Sequence, residues 1–185
     1  MEHLQLDSRA LRVLAHPLRS RLLSELRLHG PANATALAQK LDTNTGATSY
    51  HLRKLAEVNL VVETDQGTGK QRFWAAAQDS HGWRDTDIDD PDGLAAANWL
   101  RQYYWQHFAE RTLHWERVRQ SWPREWQEAA AMSDAIVELN AEQLGELMEE
   151  LYALVLKYRE KEPGEGHRHF VINLFSVPVE PGDRP

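Results

Sequence analysis

Residues 35–60, TALAQKLDTNTGATSYHLRKLAEVNL, constrain the fold more than any other stretch of this chain. At roughly 100° per residue they give two amphipathic helical patterns, broken by the polar residues 42–45. In the first, Leu37, Ala38 and Leu41 share a face, and Thr35 stands where an N-cap belongs. In the second, Thr48, Leu52, Leu55 and Asn59 recur at spacings of four, three and four, which predicts an inward face. The opposite side carries Gly46, Tyr50, Arg53, Lys54 and Glu57, with Thr45 at the start and Ser49 on the flank. A short amphipathic helix with an exposed Arg and Lys is often only a solvated face, so the segment C-terminal to it decides the reading.

Val61 and Val62, then Arg72, Phe73 and Trp74, read as two strands around the turn Asp65-Gln66-Gly67-Thr68-Gly69-Lys70. A hairpin with Lys70 and Arg72 at or beside its tip, directly after a helix-turn-helix, is the wing of a winged helix. The outward side of the second helix suits a major groove, and the basic wing suits phosphate. Candidate DNA-contacting residues are therefore Thr45, Gly46, Ser49, Tyr50, Arg53, Lys54, Lys70 and Arg72.

With these motifs in order, LRVLAHPLRSRLLSEL, TALAQKL and GATSYHLRKLAEVNLVV, residues 7–77 resemble the winged-helix domain of the arsenical-resistance-repressor (ArsR) family of bacterial regulators. The resemblance rests on Leu14-Ala15-His16-Pro17-Leu18-Arg19 at the second helix and Ser49-Tyr50-His51-Leu52 in the recognition helix. It implies a dimeric DNA-binding transcription factor, with repression as the family's usual mode. It does not extend over residues 78–185.

The chain has no cysteine, which removes disulfides, thiolate metal sites and thiol redox switches. Its net charge of −7 divides unevenly. Residues 1–77 hold ten Lys and Arg against seven Asp and Glu, giving +3, whereas residues 78–185 hold eleven against twenty-one, giving −10. A basic reader attached to an acidic body fits a nucleic-acid partner, and an acidic body equally serves solubility. No apolar run approaches a membrane span and the N-terminus lacks a signal's apolar centre, so a cytoplasmic protein is expected.

Along the chain, Asp7 or Ser8 caps a first helix through Leu14. Pro17 opens a second helix, with Leu18, Leu22, Leu23 and Leu26 inward, that stops at His29-Gly30-Pro31. Arg19 and Arg21 are read as solvated or as backbone contacts to DNA. The expected domains are a winged helix at 1–77, an acidic linker at 78–93 and a dimerisation and effector-binding domain at 94–185. In the linker, Asp85, Asp87 and Asp89 mimic a calcium loop, but Asp90 and Ala96 occupy the positions that need Gly and Glu.

From residue 94 to 121 runs a long helical pattern loaded with aromatic residues, broken or kinked at Pro123, with Trp126 on a short continuation. Trp99, Tyr103, Trp115, Trp122 and Trp126 are candidate walls of a pocket for a small apolar or aromatic effector, and equally candidates for core. His107, Glu110 and His114 share one helix side at spacings that suit zinc or nickel, and form weak metal candidates. His167 and His169 carry less. An apolar run at 135–139 precedes Asn140, which with Gln143 makes a capping box for a helix from Ala141 to about Glu160. Leu144, Leu147, Leu151, Leu154 and Val155 form its apolar face, widened by Met148, Tyr152 and Tyr158. Alternation in HFVINLFSVP, residues 169–178, predicts a strand and hence a small β-α-β unit.

The expected class is mainly α with small β, an α+β chain. The expected function is a homodimeric repressor that binds an inverted-repeat operator in double-stranded DNA and is released by a small ligand. No cofactor is expected. The alternatives are a regulator sensing a metal without thiolates, and a protein-interaction module that uses the winged helix for packing. No Gly-rich phosphate loop, nucleophile elbow or metal-plus-base signature is found, and His51 falls in the recognition helix, so enzymatic activity is not expected.

Overall fold

The computed structural model describes residues 4–66, 72–78, 80–130 and 132–178. Helix dominates, at 58% against 8% strand, which makes the chain α+β. It separates into two compact units, 1–110 and 111–185. The division does not fall at 77 or 93, because residues 78–93 are built into the first unit.

In that unit, α1 (Ser8–Leu14) is capped by Asp7, whose Oδ1 accepts from Ala10 N at 2.7 Å. Helix α2 (Pro17–His29) starts at Pro17 and ends at Gly30, whose φ of 79° is open to glycine and strained for other residues. Helix α3 (Ala34–Lys40) is capped by Asn33 and α4 (Thr45–Ala56) by Asn44, so Thr35 and Thr45 lie inside the first turns. The turn between α3 and α4 has Asp42 left-handed at φ 51°, with Thr43 N bonded to Ala38 O at 2.9 Å and Asp42 N to Gln39 O at 3.4 Å. The same closure ends α4, where Leu60 N reaches Leu55 O at 3.1 Å around Asn59 at φ 56°. Asn59, expected on the inward face, is exposed because the helix has already unwound there.

The first two strands, β1 (Leu4–Gln5) and β2 (Ala32–Asn33), are two residues each; β3 (Val61–Thr64) and β4 (Phe73–Ala76) form the wing. The sheet order is β2-β4-β3, antiparallel throughout, with Ala32 opposite Trp74 and Val61 opposite Ala76. A fifth strand, β5 (His81–Gly82), pairs parallel with β1. Beyond it, a 3-10 turn at Asp85–Asp87 leads to α5 (Pro91–Val118).

One core joins α1 to α4 with β3, β4 and the start of α5: Leu11, Leu14, Leu22, Leu52, Leu55, Leu60 and Leu100 are fully buried, and Trp74, Ile88 and Ala97 nearly so. The acidic segment thus works as structure. Asp90 Oδ1 accepts from Gly93 N at 2.8 Å and from Arg12 at 2.7 Å, which starts α5 three residues before the expected position. Asp85 binds Arg101 through both oxygens, at 2.8 and 2.7 Å. Hydrogen bonds from the Ser8 hydroxyl, then from the Gly93 backbone, hold the Asp90 carboxyl below the usual carboxylate range.

In the second unit, α6 (Arg124–Ala129) follows Pro123, and α7 (Ala141–Arg159) carries the expected Asn140–Gln143 capping box. The expected β-α-β unit does not form: 135–139 and 169–178 contain no strand. Two short segments without a third strand or a covered face cannot sustain a sheet in water. Among residues 170–175 only Asn173 is polar, so neither alternating face is polar enough to fix a register. Phe170 instead stacks on Trp126 at 5.3 Å, and Ile136 stays 78% exposed.

Candidate nucleic-acid interface

Helix α4 is fixed from behind by Thr48, Leu52 and Leu55, all with no exposed surface. Burial of that order stabilises by about 1.5–3 kcal/mol per leucine, so the outward side is presented by a rigid element. Thr45, Gly46, Tyr50 and Arg53 are exposed there, and Ser49 and Lys54 partly so. Tyr50 is 49% exposed. Arg53 Nε donates to Ser49 O at 3.2 Å, one turn back, leaving the remaining guanidinium donors outward. Lys54 pairs with Glu57 at 2.9 Å and lies 5.9 Å from the centre of the Tyr50 ring. At the N-terminus, Asn44 accepts from Ala47 N at 2.7 Å.

On the wing, Arg72 pairs with Glu63 across the hairpin at 3.3 Å. Exposed pairs of this kind contribute about 0–1 kcal/mol, so exchanging Glu63 for a phosphate costs little. Lys70 lies outside the described residues.

Behind Tyr50 is a cluster that sequence reasoning missed. The His51 ring lies 5.1 Å from Tyr50 and 4.5 Å from His16, the residue that caps α2. His16 Nδ1 accepts from Leu18 N at 3.1 Å, which requires that nitrogen to be unprotonated. Burial, then the charge of Arg19, lowers the His16 pKa; burial, then His16 and Arg19, lowers that of His51. Burial also lowers the Arg19 pKa, and its Nε donates to Val13 O. Arg21 donates to Leu41 O at 3.3 Å, clamping α2 to the turn before α4. Arg21 is exposed, as a solvated residue should be, and also braces the scaffold, while Arg19 is partly buried and serves the scaffold through Val13 O. Their i, i+2 spacing gave no hint, because their carbonyl partners are brought near only by folding.

The aromatic candidates divide between the units. Trp99 and Tyr103, in the first, stack on each other at 5.1 Å and 16°. In the second, Trp115 meets Trp122 edge-on at 5.5 Å, while Trp126 stacks on Phe170. The metal candidates are engaged otherwise: His107 Nδ1 is 2.8 Å from Tyr103 O, and Glu110 accepts from Gln106 at 3.0 Å. His114 is exposed, and no group of three or more His, Cys, Asp or Glu placed to hold a metal occurs among the described residues. Nor is any helix among them long and apolar enough to cross a membrane.

Among solved structures, the chain is similar to a possible transcriptional regulator for arsenical resistance, at 29% identity over 59% of this chain and 95% of that one, with a TM-score of 0.34. It is also similar to the adhesin competence repressor AdcR of Streptococcus pyogenes, at 14% identity over 79% of this chain and 83% of that one, with a TM-score of 0.34. A third is a mutant of ZitR from Lactococcus lactis, at 14% identity over 77% and 75%, again with a TM-score of 0.34. No curated protein matches the chain significantly. Residues 14–64 match the family of helix-turn-helix domains, the stretch from the end of α1 through β3 that holds α4 in place.

Proposed function

We propose that the protein is a homodimeric DNA-binding transcriptional regulator, cytoplasmic, with α4 as its recognition helix. The observation that carries this reading is the division of α4 into a wholly buried face and an outward one bearing Thr45, Gly46, Ser49, Tyr50, Arg53 and Lys54. Tyr50 and Arg53 supply an aromatic edge and a forked donor suited to base edges, and Arg72 a phosphate contact. A twofold dimer reads two half-sites about one helical turn apart, hence an inverted repeat.

Support for the second copy comes from the second unit, where no described residue is buried and Ile136, Val137, Leu154 and Phe170 are at least half exposed. Apolar surface on that scale is characteristic of an interaction face. The half-covered rings Trp115, Trp122 and Trp126 provide a place where an apolar or aromatic effector would gain contact, and its occupancy would shift the two recognition helices and release the operator. The test is protection of an inverted repeat in the DNA upstream of the chain's own gene, with binding that weakens steeply in salt. Replacing Tyr50 and Arg53 together with Ala should abolish protection while leaving the unfolding midpoint in place. Undiminished operator affinity in that variant would refute the reading.

A further inference from the structure

We infer that α7 pairs antiparallel with α7 of a second copy of the chain. This deepens the homodimer reading and rests on it. The helix is 19 residues long, roughly 28 Å at 1.5 Å per residue. Leu144, Leu147, Leu151, Leu154 and Tyr158 recur along it at alternating spacings of three and four, which average three and a half residues, the period of a helix–helix seam, and Val155 adjoins Leu154 beside them. Yet none of them is buried: Leu154 is 50% and Tyr158 62% exposed. An amphipathic helix with this stripe left half bare lacks its partner.

Charge selects the occupant and its direction. The first half of α7 carries Glu142, Glu146, Glu149 and Glu150, and the end carries Lys157 and Arg159, with Lys161 just beyond. A twofold axis through Leu151 sets Leu144 opposite Tyr158 and Leu147 opposite Val155, closing the seam on itself. The same axis brings Glu146 within one residue of the level of the other copy's Lys157, and Glu142 likewise to Lys161. Parallel pairing would instead set acidic half beside acidic half and basic end beside basic end, which is unfavourable. Because one surface serves both copies, the contact closes at two and does not propagate.

The absence of cysteine makes the test clean. In the full-length chain, Leu151→Cys should form a disulfide-linked dimer on mild oxidation. Leu144→Cys and Tyr158→Cys should each stay unlinked alone, and should link to each other when chains of two sizes are co-expressed. Glu146→Lys should weaken dimerisation on the order of tenfold, with two pairs affected per dimer, and adding Lys157→Glu should restore it. Self-linking of Leu144→Cys would overturn the antiparallel arrangement. A chain that is a dimer by light scattering yet links at none of the three positions would overturn the α7 seam while leaving the homodimer standing. A monomer at micromolar concentration would remove both.

Discussion

Leu52 and Arg53 are consecutive residues of α4, the first buried and the second exposed, so a matched pair of substitutions separates fold from function. Leu52 has no exposed surface and belongs to the core shared by α1, α2, α4 and α5. Leu52→Ala removes apolar contact and leaves a cavity within packed helices, a loss of about 2–5 kcal/mol. With a urea slope of about 1–3 kcal/mol per molar, the unfolding midpoint should fall by roughly 1–3 M. Arg53 gives up one exposed hydrogen bond to Ser49 O, so Arg53→Ala should stay within about 0.5 kcal/mol of the parent. Its cost falls on DNA: losing a base-edge contact in each protomer should weaken operator binding by about 1–3 kcal/mol per site, roughly 5- to 150-fold for each. Urea unfolding by circular dichroism and gel-shift titration at fixed salt measure the two quantities. Equal stability losses in both variants, or unchanged DNA affinity in a folded Arg53→Ala, would refute the assignment of faces.

Arg72→Ala should lower affinity for all sequences alike and reduce the slope of log affinity against log salt by about 1 per protomer; an unchanged slope would remove Arg72 from the phosphate contacts. Gly93→Ala would bring a Cβ within 2.6 Å of Ser8 Oγ and 2.8 Å of the Ile88 side chain. Thermal unfolding should register a loss of about 1–3 kcal/mol, and none would mean that this approach is not tight. His16 and His51 both have lowered folded pKa values, so the unfolded chain takes up their protons first on acidification. Their contribution to stability is complete above about 6.5 and falls as pH drops through the folded values. The urea midpoint should therefore decrease from about pH 7.5 to about pH 5.5, and a His16→Asn, His51→Gln double variant should flatten that decline; an equal slope would exclude the pair as its source.

Local chemistry made the helix-turn-helix legible. The inward leucines of α2 and α4, Pro17, the Gly30 stop and the Asn140–Gln143 box are all written within one or two turns of chain, and each forms as read. The cap of α3 falls two positions before the expected Thr35, since Asn33 competes with it and only the backbone geometry decides. The acidic segment looked like a linker because Asp85 and Asp90 are defined by Arg101 and Arg12, partners 16 and 78 residues away. For the C-terminal part, alternation in 169–178 signalled a strand, but a strand exists only when another chain segment satisfies its ladder, and none does among the described residues.

Hydrophobic period and capping act within a few residues, and they were enough to set the helices, their stops and the side of α4 that turns outward. Folding alone made Arg19 and Arg21 braces of the scaffold, brought His16 against His51 and closed the first unit with residues 78–93. Such contacts join atoms far apart along the chain, and packing brings them together where periodicity carries no record of them.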